Sequence, residues 1–437
     1  MEISITSARN NLTGEVKIPG DKSVSHRAIL CSALARSQST IENLQQSEDV
    51  LNTLKVIKQL GIEVKHSDFG YKILGKGLYG LREPKKGLYF GNSGTGIRLA
   101  SGIISWQSFH TELTGDSSLS TRPMKRISEP LISMGANIIL SEDDTPPIKI
   151  SGNSDLSSIS YKMPIASAQV KSAILFASLN TSGQTSIIEP YATRNHTELM
   201  FKQLGLNIEI DGNKINFNGR HEFGGYNFQI PGDFSSAAFL MVAALITPDS
   251  SILIKDVGIN PTRIALLKVL KSMNANIEIN NQRKFGEENI ADIAVSYSEL
   301  TACIVKAELI PNLIDELPIL FIASLFAVGD SKFFGVEELK YKESDRLYAM
   351  QEGFRNLGIK TEYNNDVFLV EGKGPGYFLQ DGLIDSFGDH RIAMSFIVAG
   401  LRAKKQMKVN NTECIKTSYP EFMTQLSSLG AIVNERK

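Results

Sequence analysis

The sequence predicts an α/β protein of two similar domains, each made of three small units that combine two helices with several short strands. Three observations carry that expectation. A phrase consisting of an amphipathic helix, a left-handed closure and an alternating strand occurs six times. A second kind of helix, apolar almost all round, also occurs six times. The tetrapeptide Ile-Pro-Gly-Asp occurs at 18–21 and again at 230–233, dividing the six copies into two sets of three. A chain of 437 residues is too long for one core, and two domains is the simplest division.

In chain order the closures are Leu60-Gly61-Ile62-Glu63-Val64, Met134-Gly135-Ala136-Asn137-Ile138, Leu204-Gly205-Leu206-Asn207-Ile208, Met273-Asn274-Ala275-Asn276-Ile277, Leu357-Gly358-Ile359-Lys360-Thr361 and Leu429-Gly430-Ala431-Ile432-Val433. Glycine, or Asn274 in one copy, suits the left-handed position that ends a helix, so each phrase reads as helix, C-cap, strand. The period, roughly 75 residues, is too long for a solenoid repeat. The apolar helices run from Ala28 onward, Ile97 to Ile104, Ala173 to Leu179, Ala237 to Ile246, Leu317 to Val328 and Ile392 to Leu401. A helix without a polar face must be buried. Each unit is therefore expected to hold one core helix and one outer helix. The same signals set the domains at 20–231 and at 1–19 plus 232–437, with a hinge near 19–21 and 230–233 and the first strand lent to the second domain. The Ser-rich stretch 151–160 and the charged stretch 280–289 read as surface loops.

Composition narrows the function. With 42% hydrophobic and 21% charged residues, a packed core is easily supplied. A formal net charge of -1 leaves no global basic field for a nucleic acid or an anionic membrane, so any anion must meet a local cluster. Cys31, Cys303 and Cys414 are few and far apart, which argues against a disulfide framework and a Cys-rich zinc site. The first residues lack a signal-peptide pattern, and the longest nearly apolar run, 317–329, is too short to span a bilayer. No zinc-hydrolase, serine-esterase or Walker A pattern occurs. A cytoplasmic protein that requires no metal or other cofactor is expected.

Helix N-termini carry partial positive charge, so a cation there costs up to about 1 kcal/mol. Six segments nevertheless place one there: Lys22, His26 and Arg27; Arg98, after a glycine-rich loop; Arg122, Lys125 and Arg126, with Pro123 suited to a first turn; Arg194; Lys342 and Arg346; and His390 with Arg391. One such residue alone is usually solvated or paired. Six together suit a ligand bearing phosphate, carboxylate or both, bound where helix ends converge. Each motif also has a plain structural reading. Asp21 or Ser23 can cap the first helix, and Ser167, Ala168 and Gln169 can do the same for another. The loop holding Gly94 can be only a tight turn, although a glycine also lets a ligand approach the backbone. Asp315 and Glu316 suit the dipole of the most apolar helix, and Lys342 and Glu343 can belong to an exposed helix start. Among cations, however, a carboxylate such as Asp315 is a natural base for a hydroxyl. Ser23 and Arg27, four apart, share one helix face beside Lys22, a good cradle for a phosphorylated or carboxylated substrate.

The segments 20–28, 91–98, 121–124, 167–173, 194–198, 230–239, 315–318, 341–346 and 389–394, in this order over nearly the whole chain, resemble the EPSP synthases among the enolpyruvyl transferases. The resemblance implies the inside-out α/β barrel of that family: two domains, each of three β-α-β-α-β-β copies, closing on their substrates. It also implies transfer of the enolpyruvyl group of phosphoenolpyruvate to the 5-hydroxyl of 3-phosphoshikimate by addition and elimination, in the shikimate pathway, and a target for glyphosate. By the same resemblance Asp315, Glu343 and Lys22 are catalytic. Lys22, Ser23, Arg27, Ser167, Ala168, Gln169, Arg194, Asp315 and Lys342 hold 3-phosphoshikimate. Lys22, Gly94, Arg122, Gln169, Arg346, His390 and Arg391 hold phosphoenolpyruvate, and Arg98 is structural. Two departures stand out. Thr417 occupies a position where many members have a Lys, with Lys416 one residue earlier, and Ala168 replaces a Ser, so that a contact there runs through the backbone. Two alternatives stay open on sequence. One is the related UDP-N-acetylglucosamine enolpyruvyl transferase, which has Lys-Asn at the positions of Lys22-Ser23 and often a Cys in the loop that here reads 117–122. The other is a non-catalytic binder of phosphorylated metabolites.

Overall fold

A parallel strand pair needs a crossover connection, and a buried apolar helix supplies one. The computed structural model, which describes residues 1–6, 11–67 and 70–436, uses that solution six times. In one copy, strand Leu88–Tyr89 runs parallel to His110–Thr114 and helix Gly94–Ile104 crosses between them. Helix Lys125–Ser133 follows, and the hairpin of Asn137–Ile139 and Ile148–Ser151 returns so that its second strand pairs antiparallel with His110–Thr114. The spatial strand order of this unit, first, second, fourth, third, recurs in all six four-stranded sheets. The architecture is mixed α/β, built of β-α-β-α-β-β units.

Three copies are contiguous in the chain and three borrow a strand. Asn227–Gln229 pairs parallel with Gln38–Glu42 and heads the copy whose core helix is Lys22–Leu34. Thr13–Lys17 pairs parallel with Ser251–Gly258 and heads the copy of helix Phe234–Ile246. Glu2–Thr6 lies between Gln406–Asn410 and Ile432–Arg436 and completes the copy of helix His390–Gly400. The chain divides into two compact units, one of Met1–Pro19, Gly232–Arg283 and Asn289–Lys437, the other of Gly20–Pro231 with Lys284–Glu288. They are called here the 232–437 unit and the 20–231 unit. Each has its own apolar core.

Both Ile-Pro-Gly-Asp segments follow a borrowed strand and lead into a core helix. Asp21 accepts from Val24 N–H at 2.9 Å, and Asp233 accepts from Ser235 N–H at 2.8 Å. The tetrapeptide is thus a turn ending in an N-cap, which is why the same four residues serve twice. The six closures behave alike. Gly61, Gly135, Gly205, Asn274, Gly358 and Gly430 all have positive φ, from 70° to 114°. The next amide in each copy bonds five residues back, as Ile62 N–H does to Ile57 and Ala275 N–H to Leu270, both at 3.0 Å. That is the Schellman closure, and it satisfies carbonyls the helix end would leave bare.

The core helices are buried nearly throughout; in Phe234–Ile246 every residue is. Close approach is written into the sequence at Gly102, where an added Cβ would stand 2.2 Å from the carbonyl oxygen of Ala173. Helices Gly94–Ile104 and Ala168–Ser178 therefore touch backbone to backbone. Three expectations need correction. The charged stretch 280–289 is no loop: it forms the ends of strands Asn276–Phe285 and Glu288–Ser296, turning at Gly286 with φ of 58°. Its charges line an exposed strand, while Asp292 behind it is buried and anchors Lys255 at 2.7 Å. Pro123 precedes the N-cap Met124 and stands outside helix Lys125–Ser133.

The third correction is His26, which is not a cation. It is fully buried, with Nδ1 2.8 Å from Thr53 Oγ1 and Nε2 3.3 Å from Ser93 Oγ. Burial, helped by Lys22 and Arg27, pushes its pKa down to about 3. A neutral imidazole thus pins helix Lys22–Leu34 to helix Glu48–Gln59 and to the residue capping Gly94–Ile104. Because the folded value lies below the unfolded one, unfolding takes up a proton across the window from about pH 6.5 down to about 3. Stability is complete above that window and falls by up to about 1.4 kcal/mol per pH unit within it. In His26→Gln, urea titrations between about pH 4 and 6.5 are expected to give a pH slope shallower by close to one proton. Equal slopes would place that proton uptake elsewhere.

Candidate active site

In the 20–231 unit the core helices are capped by Asp21, Ser93 and Ser167, whose side chains accept from Val24, Gly96 and Val170 N–H. One hydrogen-bonded chain runs from Arg27 to the start of helix Ala168–Ser178. Arg27, 2% exposed, donates through Nε to Thr197 Oγ1 at 2.6 Å, through Nη2 to Ser172 Oγ at 2.7 Å and through Nη1 to the Ser23 carbonyl at 2.8 Å. These acceptors are neutral. Burial lowers the Arg27 pKa to about 10 against the opposing pull of Glu198, and nearby Arg194 lowers it further.

Ser172 Oγ donates to the Ala168 carbonyl at 2.7 Å, carrying the chain to the start of helix Ala168–Ser178. There Gln169 accepts from Arg98 Nη1 at 2.6 Å and donates to Thr95 Oγ1 at 2.9 Å, which fixes its amide orientation. Arg98 also donates to the Pro123 carbonyl at 3.1 Å. Arg122, 8% exposed, donates to Asn92 Oδ1 and, at 3.3 Å, to Ser118 Oγ. Gly94 lies against both arginines: an added Cβ would stand 3.0 Å from Arg122 Nη1 and 3.2 Å from Arg98 Nη1. Lys22 Nζ pairs with Asp49 Oδ2 at 3.1 Å. Lys125 takes no part; it is solvated and pairs with Asp144 at 3.2 Å.

The 232–437 unit places acids where the other unit has mostly hydroxyls. Asp233, Glu316 and Asp389 stand at the N-cap positions of its three core helices. Arg346, fully buried, donates through Nε to Asp389 Oδ2 at 2.8 Å, through Nη1 to Asp315 Oδ1 at 3.4 Å and through Nη2 to Glu343 Oε2. Burial alone would lower its pKa, but Asp389, Glu343 and Asp315 outweigh it and hold the guanidinium above its ordinary value. Arg391 donates to the Asp315 carbonyl at 2.7 Å and keeps Nε 3.5 Å from Asp315 Oδ1. Asp389 also accepts from Arg391 N–H at 2.8 Å. His390 is buried beside it at the first position of helix His390–Gly400. Glu316, 1% exposed, accepts from Ser235 Oγ, which accepts from Arg263 at 2.7 Å.

Lys342 and Arg346 do not share a helical turn. Helix Arg346–Asn356 begins only at Arg346, and Lys342 is extended, with φ of -95° and ψ of -151°. Its Nζ lies 3.5 Å from Glu338 Oε1, and burial lowers its pKa against the pull of Glu338 and Asp315. Lys416 is exposed on the turn Thr412–Thr417. Asp49, Asn92, Thr197 and Arg263 went unnoticed in the sequence because their partners lie tens of residues away. Asp389, immediately before the apolar run at 390, had a readable N-cap signal. Among the described residues no group of three or more His, Cys, Asp or Glu is arranged to hold a metal ion. No helix among them is long and apolar enough to cross a membrane.

The comparisons with known proteins agree. The family model for EPSP synthase (3-phosphoshikimate 1-carboxyvinyltransferase) matches residues 6–426. A 3-phosphoshikimate 1-carboxyvinyltransferase of Thermoanaerobacter sp. (strain X514) is 43% identical over 97% of this chain and 98% of its own length. One of Magnetococcus marinus is 44% identical over 97% and 96%. The solved EPSP synthase of Acinetobacter baumannii superposes with a TM-score of 0.88 at 42% identity, covering 99% of this chain and all of that one. With six repeats, two capped clusters and full-length matches in accord, the chain belongs to the EPSP synthase family, the 3-phosphoshikimate 1-carboxyvinyltransferases, and is a transferase of the shikimate pathway.

Proposed function

We propose that the chain joins the enolpyruvyl group of phosphoenolpyruvate to the 5-hydroxyl of 3-phosphoshikimate, with its two clusters taking different roles. The observation that carries the assignment of roles is the contrast between them. One unit gathers Lys22, Arg27, Arg98 and Arg122 around helix ends; the other holds Asp315 and Glu343 on the guanidinium of Arg346. Helix N-termini with added cations suit phosphate and carboxylate groups. Carboxylates held in fixed positions suit proton transfer.

The hydroxyl oxygen adds to C2 of phosphoenolpyruvate while a proton is delivered to C3, giving a tetrahedral intermediate. Loss of a proton from C3 and of phosphate from C2 restores the double bond in the product. Asp315 accepts the hydroxyl proton, and Glu343 moves the proton at C3. Ser23, Arg27, Ser167, the Ala168 backbone, Gln169, Arg194 and Lys342 hold 3-phosphoshikimate. Gly94, Arg122, Arg346, His390 and Arg391 hold phosphoenolpyruvate, and Lys22 and Gln169 reach both. Arg98 orients Gln169. The protein works as a cytoplasmic monomer, the compartment being supported by three free cysteines.

Protein eluting as a single 48.0 kDa chain is expected to release phosphate from phosphoenolpyruvate with 3-phosphoshikimate and not with UDP-N-acetylglucosamine. Turnover with the UDP sugar alone overturns the assignment, and tight binding of 3-phosphoshikimate without turnover marks a binder. Asp315→Ala is expected to lower kcat by at least about 100-fold while calorimetry still detects 3-phosphoshikimate binding. A near-normal kcat would remove Asp315 from the chemistry. Gly94→Ala pushes its methyl against two guanidinium groups, so KM for phosphoenolpyruvate should rise about ten-fold with KM for the acceptor little changed. The reverse pattern would reassign Gly94 to the acceptor.

A further inference from the structure

Lys171 has no place in the chemistry above, yet it is one of the most deeply buried charged side chains of the chain, 1% exposed. It stands on helix Ala168–Ser178, two residues after Gln169. Its Nζ lies 2.9 Å from Glu189 Oε2, 2.7 Å from Glu198 Oε1 and 3.5 Å from the Thr193 carbonyl. Glu189 in turn accepts from Thr193 Oγ1 and, at 3.4 Å, from Thr193 N–H. The segment 189–198 is therefore gathered at its start, its middle and its end onto one ammonium group.

What that segment carries makes the arrangement informative. Arg194 follows Thr193 directly, and Thr197, next to Glu198, accepts from Arg27 at 2.6 Å and bonds Ser172 Oγ at 2.7 Å. Buried ions of this kind seldom add net stability compared with apolar side chains of similar volume, but removing one partner leaves the others uncompensated. The gain is in geometry: a loop tied at three points to a rigid helix keeps one conformation. We propose that Lys171 is a positioning residue for acceptor binding, holding segment 189–198 so that Arg194 meets the acceptor's phosphate group in fixed register. The proposal rests on the assignment of Arg194 to 3-phosphoshikimate.

The test compares the phosphorylated acceptor with shikimate, which lacks the phosphate, by calorimetry on the full-length protein. In Lys171→Met/Glu189→Gln, which removes one charge of each sign, affinity for 3-phosphoshikimate is expected to fall about ten-fold or more while that for shikimate and KM for phosphoenolpyruvate stay within about two-fold. Thr193→Val loosens the same loop without changing any charge and should show the same selective loss to a smaller degree; it keeps the test open where the double variant does not fold. Unchanged affinity for 3-phosphoshikimate, or equal losses for both ligands, overturns the positioning role. Arg194→Ala separates the two levels: if it leaves the preference for the phosphorylated acceptor intact, the assignment of Arg194 fails, whereas a loss there with none in the Lys171 and Thr193 variants rejects Lys171 alone.

Discussion

Three buried helices packed together impose one constraint on each unit: their first N–H groups and their partial positive charge must be answered by caps, by ions or by water. The two units answer it differently on the same architecture. In the 20–231 unit the caps are one carboxylate and two hydroxyls, and Lys22, Arg27, Arg98 and Arg122 add further positive charge nearby. In the 232–437 unit the N-cap residues are all acidic, and Arg263, Arg346 and Arg391 balance them. The same architecture thus sets cations mostly among hydroxyls and amides in one unit and on carboxylates in the other.

Arg346 shows what the second arrangement demands. A fully buried guanidinium contacts Asp389, Asp315 and Glu343 together, each from a different stretch of chain. Taking such charges out of water is unfavourable unless every partner is in place, so the position of each carboxylate depends on the others. Asp315 and Glu343, from segments 28 residues apart, are thereby referred to a common point, and Asp389 keeps that point fixed to helix His390–Gly400. Proton transfer between side chain and substrate needs this kind of fixed spacing.

Much of this could be read from the residues in order. The six closures were legible because a left-handed residue and its following strand are local features, and even Asn274 adopted the expected φ. The core helices were legible because an apolar surface on all sides leaves no alternative to burial. The clusters were legible as kinds of residue and as positions at helix starts. What was hidden depended on distance in the chain. His26 looked like part of a basic group, and only its packing between Thr53 and Ser93 makes it neutral. Lys342 looked helical because Arg346 lies four residues on, but the helix starts too late to include it. Lys171, Glu189 and Glu198 left no local signal, since an ion pair is invisible until the fold brings its members together. The strand pattern of 280–289 was masked by its charge, which long exposed strands tolerate on their solvent face.

The borrowed strands also set a timetable. Glu2–Thr6 and Thr13–Lys17 are made long before their partners at 251–258, 406–410 and 432–436. During synthesis on the ribosome the 20–231 unit can close its last sheet once Asn227–Gln229 has emerged, while Glu2–Thr6 and Thr13–Lys17 still have no partner strand. Thr13–Lys17 can join its sheet once 251–258 has been made, whereas Glu2–Thr6 has no complete sheet to join until 432–436 has followed.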